Sequence, residues 1–343
     1  METAVSPKTR IISAPALLPI GILVGLVFLA VCLAISITMG AADITVKSAY
    51  DAIFNFDSAS FDHLIIRTVR LPRVFAGVVI GVGLAVSGAI MQGLTSNPLA
   101  SPSILGINTG AAFAVVLGVL ILGAPPLTMY AVFAMIGATI ASILVYILAS
   151  FGRGGATPLK LTLAGVIFTA FVAAFTTFIL VFDQNTFDQI RFWTVGSLSG
   201  RDMELVAGTA PFVVVGLLGA LLLARQITTI SLGQDVARGL GQNTLHIRLL
   251  AGLMVVLMAG ASVALAGPVA FVGLIIPHMI RPFVGFDYRW IIPYAAIAGA
   301  MLVTVADACG RVIVKPEEVP IGVMLAFVGA PFFIYLARSK VTR

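Results

Sequence analysis

Charged residues are scarce in this sequence. Only 10% of its 343 residues are Asp, Glu, Lys or Arg, whereas 60% are apolar. A soluble globular domain carries about 25% charged residues, so this chain has too little charge to cover a surface in water. Apolar runs of about 20 residues recur from end to end, and that length crosses the roughly 30 Å of hydrocarbon in a bilayer as a helix. The sequence therefore predicts an all-α polytopic membrane protein.

Residues that build disulfide, metal and nucleotide sites are also rare. The two cysteines, Cys32 and Cys309, lie in apolar runs, and the three histidines are far apart in the sequence. This pattern favours neither a disulfide framework nor a metal centre. None of the five lysines follows a glycine, so the Gly-Lys-Ser/Thr ending of a phosphate-binding loop is absent. We expect no catalytic residue, no metal and no cofactor in this chain, and any ATP has to be hydrolysed by another protein.

The apolar runs predict ten transmembrane helices. These spans are Leu17–Met39, Val74–Leu94, Ile104–Leu122, Leu127–Ala149, Leu161–Phe182, Leu205–Ala224, Ile247–Ala266, Val269–Ile280, Ile291–Cys309 and Ile321–Ala337. The seventh and eighth spans form one apolar stretch, which as a single helix would be about 48 Å long and too long for one crossing. Gly267-Pro268 lies inside it and is expected to break it into a hairpin.

The distribution of charge supports ten spans with both termini in the cytoplasm. With that topology, 12 of the 20 basic residues and only 3 of the 14 acidic residues fall on the inner side. Merging spans seven and eight would leave 9 of the 20 basic residues inside and 11 outside, against the positive-inside rule. We therefore treat residues 1–343 as a single transmembrane domain with a cytoplasmic tail at 1–14.

An uncharged polar turn interrupts the apolar runs after the second span. The stretch SGAIMQGLTSNPLASPSILGINTG contains Asn97-Pro98 and Ser101-Pro102, which end one helix and start the next. Backbone groups freed there have to be satisfied by protein or by a water-lined cavity. The turn is either the mouth of a pathway, where fixed charges would trap a polar solute, or an ordinary tight connection.

Two further segments invite a functional interpretation. Residues 225–248 form an inner segment that is longer than a simple helix connection needs, which favours a platform for a cytosolic partner over a solvated loop. Arg67, Arg70 and Arg73 cluster outside the second span, where the topology rule disfavours basic residues. They either meet an acidic partner or anionic solute, or reach the lipid headgroups. Asp307, the acid inside a span, is expected to pair with Arg311 at i,i+4 rather than relay protons.

Three ordered blocks carry a family resemblance. They read RLPRVFAGVVIGVGLAVSGAIMQGLTSNPLASPSILGINTGA, GPVAFVGLIIPHMIRPFVGFDYRWIIPYAAIAGA and ADACGRVIVKPEEVPIGVMLAFVGAPFFIYLAR. Together they closely resemble permeases of the FecCD type, which import iron-siderophores, haem or vitamin B12 in bacteria and belong to the ATP-binding-cassette importers. The similarity runs from about residue 60 to the end of the chain. It implies the type II importer architecture of ten helices in the cytoplasmic membrane.

The resemblance also implies partners and site residues. A second permease subunit, identical or paralogous, would share a central pathway with this one. Two ATPase subunits, which use ATP and Mg²⁺, would dock inside, and a substrate-binding protein would dock outside. Asn97, Pro98 and Leu99 match the cytoplasmic gate. The stretch Arg238-Gly239-Leu240-Gly241 matches the coupling helices, and Arg70, Arg73 and Arg311 match arginines that meet the binding protein.

The predicted function is therefore import of a ferric siderophore by alternating access, driven by a separate ATPase. Haem or vitamin B12 is the alternative solute within the same machinery. A stand-alone ion-coupled secondary transporter is the alternative from another class, but it needs a buried ionisable relay, and Asp307 is poorly suited to that role.

Overall fold

The computed structural model describes residues 16–40, 44–152 and 155–341, with the backbone alone for 336, 337 and 339–341. Throughout these ranges the chain consists of helices joined by turns and short loops, without a β-strand. The predicted tail at 1–14 lies outside the described residues.

Fifteen α-helices follow one another along the described part of the chain. They are α1 Leu17–Thr38, α2 Val46–Phe54, α3 Phe61–Ile65, α4 Leu71–Thr95, α5 Ile107–Leu122, α6 Leu127–Ser150, α7 Pro158–Phe182, α8 Gln184–Thr194, α9 Met203–Leu222, α10 Ala224–Ser231, α11 Gln234–Gly239, α12 Thr244–Ala266, α13 Val272–Val284, α14 Tyr288–Gly310 and α15 Ile321–Val341. A π-helical turn, Ile66–Arg70, joins α3 to α4, and a 3-10 turn, Pro102–Leu105, precedes α5.

Ten of these helices are apolar enough to belong in a bilayer. Seven stretches of helix have the length and composition to cross it, and three shorter apolar helices occur at Ile107–Leu122, Val272–Val284 and Ile321–Tyr335. The prediction of an all-α, multi-pass membrane protein is confirmed. The number of crossings and the side on which each terminus lies stay predictions.

Polar side chains mark where several helices begin. Each of these side chains precedes a helix and accepts a hydrogen bond from a backbone N–H in the first turn of that helix. They include the side chains of Thr157, Asp183, Asp202, Asn243 and Asp287. Such caps satisfy N–H groups that have no partner inside the helix. The starts of α7, α8, α9, α12 and α14 are thus fixed by single residues in the sequence.

The predicted break between spans seven and eight is present. The helix α12 ends at Ala266, Gly267 has a left-handed φ of +81°, and α13 begins at Val272. Phe271, just before α13, also has a positive φ of +70°, which is unusual for a residue with a side chain. The Gly-Pro pair therefore reverses the chain instead of bending one long helix.

The helix α4 lies at the centre of the bundle, packed against α12, α13, α14 and α9. Its small residues make this possible, because Gly81 lies against the backbone of Gly299 and Gly88 lies against Gly273. A β carbon at either glycine would overlap those backbones, so close packing is the reason for these glycines. By contrast, α1 and α7 expose most of their length, as expected of helices that face lipid or another subunit.

Candidate functional site

The ends of the helices form two distinct surfaces. One surface, here called the coupling end, contains residues 96–101, 224–246 and 285–288. The opposite surface, here called the arginine end, contains residues 36–40, 67–73, 123–127, 195–202 and 311–320. The predicted gate and coupling residues lie at the first, and the predicted docking arginines lie at the second.

The turn after α4 closes on itself without any charge. Ser96 ends α4 in a left-handed conformation, with φ +49°. The Oδ1 atom of Asn97 accepts a hydrogen bond from the backbone N–H of Leu99 at 3.0 Å, and the Asn97 carbonyl accepts from Ala100 at 3.1 Å. The turn therefore satisfies its own backbone groups, while Asn97 and Leu99 stay exposed and Pro98 is partly buried. Its function as a gate stays a prediction.

The predicted coupling segment folds into two short helices, α10 and α11. Gly233, with φ +128°, separates them, and Gly241, with φ +77°, ends the turn that follows α11. Ala237 is the buried anchor of α11, whereas Arg238, Gly239, Leu240 and Gly241 are exposed.

Exposed apolar side chains surround Arg238 on this segment. Leu232, Val236 and Leu240 each expose much of their surface. An apolar surface with a cationic centre, held on rigid helices, is typical of a protein–protein contact.

The coupling segment is connected to the turn after α4. The hydroxyl of Ser96 donates to the carbonyl of Ser231, the last residue of α10, at 3.5 Å. Gly93 leaves space for Ile227 of α10 and for the ring of Tyr288 at the start of α14. The helix α10 therefore contacts the end of α4 directly.

A second set of polar contacts fixes α10 to α14. The hydroxyl of Thr228 accepts from the backbone N–H of Tyr288 at 2.9 Å and lies 3.4 Å from Asp287, while it donates to the Ala224 carbonyl at 2.9 Å. Arg289 pairs with Asp287 at 2.7 Å. Burial pushes the pKa of Asp287 upward, but its hydrogen bonds with Arg289 outweigh that effect and hold the pKa below its usual value. The carboxylate is thus held in its charged form, in which it caps α14.

At the arginine end, the three predicted docking arginines are buried inside the chain. Arg70, Arg73 and Arg311 are 4%, 6% and 3% exposed. Arg73 binds the carboxylate of Asp307 through two nitrogens at 2.9 Å and contacts Glu318 at 2.6 Å. Arg311 lies 3.2 Å from Asp307, which confirms the predicted i,i+4 pair. Docking of a binding protein by these arginines stays a prediction, and their burial does not favour it.

Arginines at this end also bind the C-terminal carbonyls of other helices. Arg70 donates to Ile37 and Thr38 of α1 at 2.6 and 2.7 Å, and Arg311 donates to the carbonyl of Met39 at 2.7 Å. The last carbonyls of a helix lack intrahelical partners and carry partial negative charge, so a guanidinium satisfies and stabilises them.

Arg67 does the same for the last turn of α2, at 2.8 and 3.2 Å from two carbonyls. These contacts explain the arginines at this end by their binding to helix carbonyls, which neither of the two interpretations from sequence contained. Their partners are distant in sequence, so no local signal could have revealed them.

The described residues contain no group of three His, Cys, Asp or Glu side chains that could hold a metal ion.

One polar residue that the sequence did not single out, Arg201, is buried in a cavity at the arginine end. Its only signal in the sequence is a lone cation before α9.

Comparison with known proteins gives a consistent result over nearly the whole chain. The sequence model of the FecCD transport family matches residues 28–339. The siderophore transport system permease protein YfiZ of Bacillus subtilis is 42% identical over 322 residues, covering 92% of this chain and 95% of that protein. The Fe(3+)-citrate import system permease protein YfmD of the same organism is 41% identical over 307 residues, with 90% and 91% coverage. The ferric enterobactin transport system permease protein FepD of Escherichia coli is 39% identical over 332 residues, with 97% and 96% coverage.

A solved structure has the same architecture. It shows a metal-chelate type ABC transporter in an inward-facing conformation and is 25% identical to this chain. The two superpose with a TM-score of 0.82 over 94% of this chain and 99% of that one.

Proposed function

Because the chain belongs to the FecCD transport family, we propose that it is the permease subunit through which an ATP-binding-cassette importer carries a ferric siderophore across the bacterial cytoplasmic membrane. A second permease subunit, two ATPase subunits and an extracytoplasmic binding protein complete the transporter in this proposal. Ferric siderophore is preferred to haem or vitamin B12 because the similar permeases are named for a siderophore, ferric citrate and ferric enterobactin.

The observation that carries the mechanism is the contact of α10 with Ser96 and Gly93, at the end of α4 that leads into the turn at Asn97–Leu99. A cytosolic ATPase would grip the exposed surface around Arg238. Its closure on ATP would move α10, and the contacts of α10 with Ser96 and Gly93 would pass that movement to the end of α4. The uncharged turn would then open or close the pathway without holding a charged solute back.

An ion-coupled secondary transporter fits the described residues less well. Asp307, the acid inside a span, is 3% exposed and paired with Arg73 and Arg311. A buried carboxylate that is engaged by two guanidinium groups of the same chain has neither the water nor the exchanging partners that a proton relay needs.

Uptake by the reconstituted transporter tests the proposed function. The permease, its ATPase and its binding protein are placed in liposomes, and uptake of a radiolabelled iron chelate is measured with ATP inside. Uptake should fall to background when the ATPase carries an inactivating substitution in its phosphate-binding loop. Uptake that persists with the inactive ATPase, or that follows a proton or sodium gradient instead, would reject the ATP-driven mechanism.

A further inference from the structure

A cavity of about 590 Å³ opens at the arginine end of the bundle. It lies between the loop that joins α8 to α9 and the loop that joins α14 to α15, and its wall includes Tyr130, Trp193, Ser197 and Arg201. The rings of Tyr130 and Trp193 meet edge to face, with their centres 6.4 Å apart. This size and this mixture of aromatic and polar groups are typical of sites for small molecules.

Arg201 is the unusual member of the wall. It is 6% exposed, and its Nε has no hydrogen-bond partner among the described residues. Burial lowers the pKa of Arg201 to about 10, with only a partial opposing effect from Asp202. The Asp202 carboxylate is instead engaged as the cap of α9, accepting from the backbone N–H of Leu205 at 2.8 Å. A buried guanidinium without a paired anion is costly unless a ligand supplies one.

The other charged groups of the wall do not fill this role. Arg73 is already bound by Asp307 and Glu318, so it has little to offer a further anion. Glu317 lies in the wall but is exposed to solvent. Ser197 accepts a hydrogen bond from the backbone N–H of Ser199 at 3.1 Å, which leaves its own hydroxyl proton available as a donor. Arg201 and Ser197 thus provide hydrogen-bond donors that have no acceptor among the described residues.

We propose that this cavity binds a small carboxylate-bearing molecule, with Arg201 as the group that recognises the carboxylate. A guanidinium donates two parallel hydrogen bonds to a carboxylate, and the low exposure of Arg201 strengthens them. The aromatic wall formed by Tyr130 and Trp193 accommodates the rest of the molecule. The inference rests on the proposed function in one respect. It takes the bound molecule to be the solute at the outer mouth of the permease, an anionic chelate with free carboxylates.

Trp193 offers a direct way to measure this binding. The chain contains two tryptophans, Trp193 and Trp290, so a Trp290→Phe variant leaves the cavity residue as the sole reporter. The purified full chain in nanodiscs is titrated with citrate, and the fluorescence of Trp193 is recorded. We expect a saturable change, and Arg201→Gln should weaken citrate binding about tenfold or more, as loss of a charged hydrogen bond predicts. Arg201→Lys should retain part of the affinity.

Matched controls make the result specific. Arg191 on the neighbouring helix α8 is half exposed and pairs with Asp188, so Arg191→Gln should bind citrate like the unmodified chain. Replacing Glu317 by Gln should strengthen citrate binding, because it removes from the wall a negative charge that repels the citrate anion. Glycerol, which is uncharged, should produce no saturable change.

The stability of the chain gives a second, independent measurement. Without ligand, Arg201→Met should raise the midpoint of thermal unfolding, because it removes a buried charge without a paired anion. Citrate should raise the midpoint of the unmodified chain but not that of the variant.

Several results would overturn the inference. Citrate binding that is unchanged in Arg201→Gln would do so, as would the absence of any binding. Arg201-dependent binding of inorganic phosphate but not of citrate would reject the carboxylate class. These measurements need no ATPase, so their failure is distinct from a failure of ATP-driven uptake.

Discussion

Asp307 holds together the charged network at the arginine end. Its carboxylate binds Arg73 at 2.9 Å and lies 3.2 Å from Arg311, and all three side chains are buried. Removing one member of a buried ion pair leaves an uncompensated charge, which costs about 3–5 kcal/mol. We therefore expect Asp307→Ala to lower the free energy of unfolding by that amount, measured by denaturation with SDS in mixed micelles.

An exposed ion pair supplies the control for this measurement. Asp188 and Arg191 lie 3.6 Å apart, and each side chain is about half exposed. Such pairs contribute about 0–1 kcal/mol, so Asp188→Ala should leave stability nearly unchanged. Equal effects of Asp188→Ala and Asp307→Ala would show that the buried network does not stabilise the fold.

A substitution at Arg70 distinguishes a structural role of this arginine from a role in docking the binding protein. Its guanidinium binds two carbonyls at the end of α1, at 2.6 and 2.7 Å. We expect Arg70→Met to loosen this helix end, so that hydrogen exchange at residues 37–40 becomes faster, whether or not a binding protein is present. If Arg70→Met weakened docking of the binding protein while exchange at residues 37–40 stayed slow, the arginine would contact the partner directly.

At the scale of the helix, the packing of α10 against α4 depends on Gly93. A β carbon there would lie 2.6 Å from Ile227 and 2.8 Å from the ring of Tyr288, so α10 or the start of α14 would have to move. Such overpacking costs about 1–3 kcal/mol. We expect Gly93→Ala to lower the number of chelate molecules imported per ATP hydrolysed severalfold in the reconstituted transporter, while the rate of ATP hydrolysis changes less.

The matched control is a glycine with open surroundings. Gly208 in α9 has no atom within 4 Å of an added β carbon, so Gly208→Ala should leave uptake and hydrolysis unchanged. If Gly93→Ala transported as efficiently as Gly208→Ala, the contact between α4 and α10 would not be the route of coupling.

The elements that sequence could predict are those fixed by local chemistry. The break at Gly267-Pro268 follows from the inability of the Gly-Pro pair to continue a helix, and it is present. The helix α4 begins at Leu71, before the span predicted to start at Val74, because the three arginines that precede Val74 do not end the helix. In the folded chain their charges are neutralised or bound by α1, α2, Asp307 and Glu318, so helix continues from Phe61 to Thr95.

The residues of the candidate site likewise include some that local sequence could predict and some that it could not. The exposed turn at Asn97 and the glycines at 239 and 241 are marked by residues that end helices, so their positions were predictable. The cavity around Arg201 was not, because its wall comes from four parts of the chain that extend from Arg73 to Pro320 in the sequence. Only the folded arrangement shows that its guanidinium has no paired anion among the residues that the structure describes.

For the whole molecule, the structure defines two opposite ends, and the charge of the sequence predicts the side of the membrane on which each end lies. Leu240 lies at the coupling end and Glu317 at the arginine end, and both side chains are exposed. The excess of basic residues near the coupling end predicts that Leu240 faces the cytoplasm. The side is therefore set by charge, and it decides whether ATPase subunits could reach α10 and α11 at all.

Labelling of single cysteines in intact spheroplasts decides the orientation. In a background with Cys32 and Cys309 replaced by Ala, we expect an impermeant maleimide added outside to label Glu317→Cys and not Leu240→Cys. Leu240→Cys should react only after the membrane is permeabilised, which also confirms that the residue is accessible. Labelling of Leu240→Cys from outside would place the coupling end away from ATP, and the proposed coupling of α10 to an ATPase would then be physically impossible.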